Sequence, residues 1–160
     1  MTEMTESMIY DMAFRVRLYI ASRLADGNRI NDLTERETLI LQLIGTTGRM
    51  SISEICNFYP RVSSSTISTT ITKLWKEKKL VDKNILPENQ RITTVNLTEK
   101  GQKALKEIKK KQSDVFNTVT TSLGLSAEQN ASFQIILESA IGFFDDMLGL
   151  ELNEPLVLRV

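Results

Sequence analysis

Among its 160 residues the chain has no histidine, one cysteine, three prolines and one tryptophan. Without histidine it loses the commonest general base, the commonest zinc ligand and every Ser-His or Cys-His nucleophile pair. The lone Cys56 forms no disulfide within the chain and has no second thiolate to complete a cysteine metal site. No run of eighteen apolar residues occurs, so no membrane span is predicted. The opening MTEMTESMIYDM is acidic and lacks a basic leader, so it does not read as a secretory signal, and the expected location is cytoplasmic. There is also no glycine-rich phosphate loop and no carboxylate pair in an apolar setting. These absences argue against an enzyme and imply neither a metal nor a cofactor.

Net charge is zero, but it is unevenly distributed. Residues 1–60 carry 6 basic and 8 acidic groups, residues 61–111 carry 13 and 5, and residues 112–160 carry 1 and 7. The balances are −2, +8 and −6. A basic middle between acidic flanks has the pattern of a nucleic-acid contact face. Solvated lysine faces give the same count, so the motifs inside the segment must decide.

Those motifs lie between Ile52 and Thr98. Ser51-Ile52-Ser53-Glu54 is a capping box opening a short helix, with Ile55, Cys56 and Phe58 on its apolar side and Pro60 closing it. Cys56 there reads as a small buried filler. Ser63 caps a further helix whose predicted inward stripe is Ile67, Ile71, Leu74 and Trp75. Its other faces carry Ser64, Ser65, Ser68, Thr69, Thr72, Lys73 and Lys76. Serine and threonine are weak helix formers. Their hydroxyls and the threonine methyl suit contact with phosphates and base edges. Residues 80–85 and 91–97 read as two strands around the turn signal Pro87-Glu88-Asn89, a hairpin.

The flanks are helical. Apolar residues at Ile9, Met12, Ala13, Val16, Tyr19, Ile20 and Leu24 predict an amphipathic helix over 8–25, stopped by Asp26-Gly27-Asn28. Thr34-Glu35-Arg36-Glu37 is a capping box for a second helix, ended by Gly45 or Gly48. Thr98 opens a long helix with Lys103, Lys106, Lys109, Lys110 and Lys111 on its outer face, stopped by Leu123-Gly124. Ser126-Ala127-Glu128-Gln129 starts a last helix whose stripe, Phe133, Ile136, Leu137, Ala140, Ile141, Phe144, Met147 and Leu148, is too apolar to face water. It needs a partner: the first helix, a second copy of the chain, or both.

Taken in order, Leu33-Thr34, Ile52-Ser53-Glu54-Ile55, Ser65-Thr66-Ile67-Ser68 leading to Leu74, Leu80-Val81, and Leu97-Thr98-Glu99-Lys100-Gly101 resemble the MarR family of bacterial winged-helix transcription regulators. The resemblance spans roughly residues 8–148. Two positions depart from the family pattern: Lys79 stands where a glycine is usual before the Leu-Val pair, and Asn89-Gln90-Arg91 replaces Asp-x-Arg at the wing tip. No cysteine lies in the first helix, so the peroxide sensing of one subgroup is not carried over.

The expected fold class is mainly α with a small β-hairpin, a winged helix-turn-helix lobe plus N- and C-terminal dimerisation helices. The lobe is expected over 33–98, the dimerisation region over 8–27 and 99–148, and a tail over 149–160. The resemblance implies a homodimeric, sequence-specific regulator of double-stranded DNA, a repressor at a pseudo-palindromic operator, released by a small-molecule effector. Arg61, Ser63, Ser64, Ser65, Ser68, Thr69, Thr72, Lys73, Lys76, Lys83 and Arg91 are the expected DNA contacts, with Lys78 as a further candidate for phosphate. Ile9, Phe133, Leu137, Ile141, Phe144 and Leu148 are the expected dimer contacts. Met12, Arg15, Val16 and Tyr19 are candidates for an effector site, although they read better as dimer-core residues with a surface arginine. The alternative function is a winged-helix protein-interaction module that no longer binds DNA.

Overall fold

The computed structural model describes residues 3–25, 32–86 and 89–150. Helix α1 spans Glu3–Ala25, α2 Glu35–Thr47, α3 Ile52–Asn57, α4 Ser64–Lys76, α5 Glu99–Leu123 and α6 Ala127–Leu148. Strands β1 (Arg49–Ser51), β2 (Val81–Leu86) and β3 (Asn89–Leu97) form one antiparallel sheet in the order β1-β3-β2.

The helix starts follow local chemistry. Thr34, Ser51 and Ser126 each accept from the third backbone N–H of their helix, and Glu37, Glu54 and Gln129 reach back to the cap amide, so all three capping boxes close. Ser63 and Thr98 cap α4 and α5 through their side chains. Gly124 ends α5 in the left-handed region. Gly48 ends α2, whereas Gly45 lies inside it, at a place where a Cβ would run into Leu105 of α5.

Several expectations change. Helix α1 begins at Glu3, not residue 8, and its predicted stop at 26–28 lies outside the described residues. Helix α3 ends at Asn57, two residues before the one that Pro60 restricts. The sheet gains a third strand, β1, pairing Met50 with Val95. Three residues are too short for an alternation to register in sequence. Trp75 is not part of the inward stripe: it is 37% exposed. At about 100° per residue it stands about 80° around the helix from Ile67, at the edge of the buried face.

One core unites α2, α3, α4, the sheet and the first half of α5. Leu33, Ile40, Leu41, Ile44, Ile55, Ile67, Ile71, Leu74, Val81, Val95 and Ile108 are all buried. Cys56 packs half-buried at its margin. The described side chains of α1 are exposed, and α6 buries none of its residues.

The turn between α4 and β2 holds the lobe's parts together. Glu37, 1% exposed, accepts from Thr34 N at 2.7 Å and from Lys78 Nζ at 3.1 Å. Lys78 also donates to the Asp32 carbonyl and its own carbonyl accepts from Lys100 Nζ. Leu80 N donates to Leu74 O, Thr98 N to Leu80 O, and Thr98 Oγ1 to Lys79 O. Gly101 approaches so closely that a Cβ there would collide with the Leu80 carbonyl.

Lys79 adopts φ 57°, the left-handed region in which a Cβ is strained. Replacing Lys79 by glycine should therefore raise stability by about 1 kcal/mol in urea unfolding, whereas Gly101→Ala should lower it by about 1–3 kcal/mol.

Burial alone would raise the Glu37 carboxyl's pKa, but the Thr34 amide and the Lys78 ammonium outweigh it and hold it below the ordinary carboxylate range. A depressed acid contributes stability that is present above its unfolded pKa and is lost as pH falls through the folded value. Lys78→Met should cost about 3 kcal/mol at neutral pH by stranding a buried charge. That deficit should shrink under acid conditions, where the carboxyl is protonated in both proteins; urea titrations at several pH values read it directly.

Candidate nucleic-acid interface

Helix α4 turns Ile67, Ile71 and Leu74 into the core. Ser65, Thr69, Thr72 and Lys76 then follow at intervals of four, three and four residues, one ridge on the outer side. The threonines do not waste their hydroxyl protons. Thr69 Oγ1 donates to Ser65 O at 2.8 Å, Thr70 to Thr66 O at 2.9 Å and Thr72 to Ser68 O at 2.8 Å. What the exposed Thr69 offers outward is an acceptor lone pair and a methyl group. At a major-groove edge these match the amino donors of adenine and cytosine and the thymine methyl.

At the helix start, Ser63 Oγ caps Thr66 N at 3.2 Å and shares hydrogen bonds with the Ser65 and Thr66 hydroxyls at 2.9 and 2.7 Å. Arg61 is exposed in the preceding turn, as are Ser63, Ser64 and Ser65 at the helix start; Ser68 is half-buried. At the other end Lys73 and Lys76 are exposed in the last turn, where they also complement the helix dipole.

Lys83 arrives from β2. Its ammonium donates to Thr72 Oγ1 at 3.0 Å and lies 5.2 Å from the centroid of the Trp75 ring. Lys76 Nζ lies 5.3 Å from the same centroid. Burial, then the charge of Lys76, push the Lys83 ammonium below its usual range. The wing's first strand is thereby joined to the outer ridge of α4. Arg91 lies on β3, but its side chain is outside the described residues.

Lys78 differs from the expectation: it is half-buried, and its ammonium is taken up by the Glu37 carboxylate and the Asp32 carbonyl as the tie between α2 and the turn after α4. Trp75 is the residue that sequence reasoning missed here. Its apolar character placed it in the core, and only its angular offset from Ile67 pointed to the surface.

The other candidates lie elsewhere. Met12, Arg15, Val16 and Tyr19 are exposed along α1, with Arg15 Nη1 3.2 Å from Asp11. A hollow of about 470 Å³ lies away from them, between Ile44 of α2, Gly48 at its end, Asn96 of β3, and Gln102, Leu105 and Lys109 of α5. Ile9, Ile141, Phe144 and Leu148 are exposed, while Phe133 and Leu137 are half-buried. No group of three metal-ligating side chains occurs among the described residues. None of the described helices is long and apolar enough to cross a membrane.

Residues 33–101 match a family model described as a winged helix DNA-binding domain. No curated protein sequence matches the chain significantly. Solved structures resemble it over almost its whole length. Streptococcus pneumoniae FabT in complex with DNA is 19% identical, with a TM-score of 0.64 over 91% of this chain and 99% of that one. A transcriptional regulator from Thermotoga maritima is 17% identical, with a TM-score of 0.67 over 94% and 100%. A MarR family protein from Bacillus stearothermophilus is 20% identical, with a TM-score of 0.67 over 90% and 98%. At such identities the likeness is one of fold. Residues 33–101 thus match a winged helix DNA-binding domain, and the chain around them shares its fold with solved transcriptional regulators of the MarR family.

Proposed function

We propose that this chain is a homodimeric transcriptional regulator that binds double-stranded DNA, with α4 in the major groove and the β2–β3 wing on the flanking backbone. The observation that carries the reading is the outward ridge Ser65, Thr69, Thr72 and Lys76 on a lobe of the winged helix DNA-binding family. Arg61, Lys73, Lys76 and Lys83 supply phosphate contacts, and Ser64, Ser65, Ser68 and Thr69 the base edges. The ridge carries no arginine for bidentate guanine readout, so discrimination leans on DNA shape, with Arg91 as the wing's reader of a narrow minor groove.

The outlying helices support the dimer. Ile9, Phe14, Ile136, Ile141, Phe144 and Leu148 are 45–64% exposed in the single chain. Such surface is buried by a second copy, which presents two α4 helices to half-sites about 34 Å apart on a pseudo-palindromic operator. A dimer seated on promoter DNA occludes transcription, which makes repression the expected outcome. An effector lodged against Met12, Arg15, Val16 and Tyr19 of α1 would change the spacing of the lobes and release the DNA.

The deciding experiment is a mobility shift on duplexes from the region upstream of the chain's own gene. The expected result is a saturable shift in which log affinity falls with log salt by about 0.9 per phosphate contact. Thr69→Ala should weaken it about tenfold without changing that slope, since the lost contact is uncharged. No shift on any duplex at low salt would leave the protein-interaction module as the reading. Sedimentation tests the dimer: the wild type should run as two copies and Phe144→Lys as one.

A further inference from the structure

Trp75 is the chain's single tryptophan, and it stands partly in solvent where α4 meets β2. Two ammonium groups, from Lys76 and Lys83, lie 5.3 and 5.2 Å from its ring centroid. Lys83 is further fixed by its bond to Thr72 Oγ1, whose own proton is committed to the Ser68 carbonyl. Among the described residues, neither lysine is ion-paired with a carboxylate.

Gathering two like charges on one ring is unfavourable unless something negative shares the place. The ring's quadrupole compensates in part. A flexible lysine normally loses much rotamer freedom when it binds an anion. Here the indole face and the Thr72 hydroxyl have already restricted the two stems.

We propose that Trp75, Lys76 and Lys83 form a clamp for a single backbone phosphate of duplex DNA, with the indole as the positioning residue that gathers both ammonium groups. The proposal rests on the DNA-binding reading above and assigns that surface a specific ligand group. Each lysine donates to a different non-bridging oxygen of the same phosphodiester. Because Lys76 belongs to α4 and Lys83 to the wing, one phosphate is gripped by both parts of the lobe at once. The clamp thereby sets how far the recognition helix slides along the groove.

The test uses a duplex that the full-length wild type shifts, titrated across salt with Lys76→Met, Lys83→Met, the double variant, Trp75→Leu and Trp75→Phe. Methionine keeps the apolar stem and removes the charge. If both lysines hold one phosphate, the double variant should lose about 0.9 of log–log slope in total. A loss near zero, or near the roughly 1.8 expected of two separate phosphates, overturns the clamp. Trp75→Leu should bind about tenfold more weakly and Trp75→Phe within about threefold of wild type. Leucine binding as well as tryptophan would remove the indole from the site. Thermal melts accompany each variant; should Trp75→Leu unfold early, the slope of the lysine double variant still decides. A wild type that shifts no duplex overturns the DNA-binding reading and the clamp together, whereas a wild type that binds with the wrong double-variant slope overturns the clamp alone.

Discussion

One carboxylate oxygen, Glu37 Oε2, is shared by two structural tasks. It completes the capping box that starts α2, and it receives the Lys78 ammonium from the turn after α4. A buried charge of this kind is tolerated only where its lone pairs are occupied. Here the occupants come from opposite ends of the helix-turn-helix, so the charge fixes their mutual position. The same turn holds Lys79 in a strained left-handed conformation and admits Gly101 of α5 against the Leu80 carbonyl. The end of α4, the start of β2 and the N-terminal turn of α5 all meet within a few residues of Lys78, this oxygen's partner. The direction of α4 relative to the sheet is therefore set from the buried side, not by the exposed ridge.

That separation lets the ridge be poor in intrinsic helix formers. Seven of the thirteen residues of α4 are serine or threonine, which as a free peptide would form little helix. Three isoleucine and leucine side chains pinned in the core, a serine cap and two lysines at the C-terminal end hold it instead. The threonine hydroxyls turn back onto the helix carbonyls, which leaves small, methyl-bearing outer surfaces. A helix stabilised by its own propensity would carry longer side chains, such as lysine, glutamate and leucine, on that ridge.

What the sequence made legible was what local chemistry decides. Three capping boxes, the Ser63 and Thr98 caps and the Gly124 stop all depend on residues within a turn of one another, and each stands where its pattern placed it. The suspected family likeness holds at the level of fold because it rested on the order of such local signals. What was not legible depends on distant partners. Strand β1 is a strand only because Met50 finds Val95, forty-five positions away. Lys78 reads as one more surface lysine until Glu37 is brought against it. Trp75 has the character of a core residue, and although its offset from Ile67 puts it at the edge of the buried face, the two lysines that meet its ring include one delivered by β2.

Helix α5 carries the consequence furthest. Its first half is lobe core, through Ala104, Leu105 and Ile108, and its second half runs beyond the core to Leu123. A single continuous helix thus belongs to the winged-helix lobe and to the region where α6 exposes its apolar stripe. Its lobe end is held by Gly101 against the Leu80 carbonyl and by Lys100 on the Lys78 carbonyl, so α5 is joined directly to the turn that sets the direction of α4. Positive charge is concentrated in residues 61–111 and the later residues are acidic, so the same helix joins a basic lobe to an acidic outlying region. In the proposed dimer, a change in how the outlying helices pack would therefore reach DNA through the position of each lobe, with the outer ridge of α4 itself unchanged.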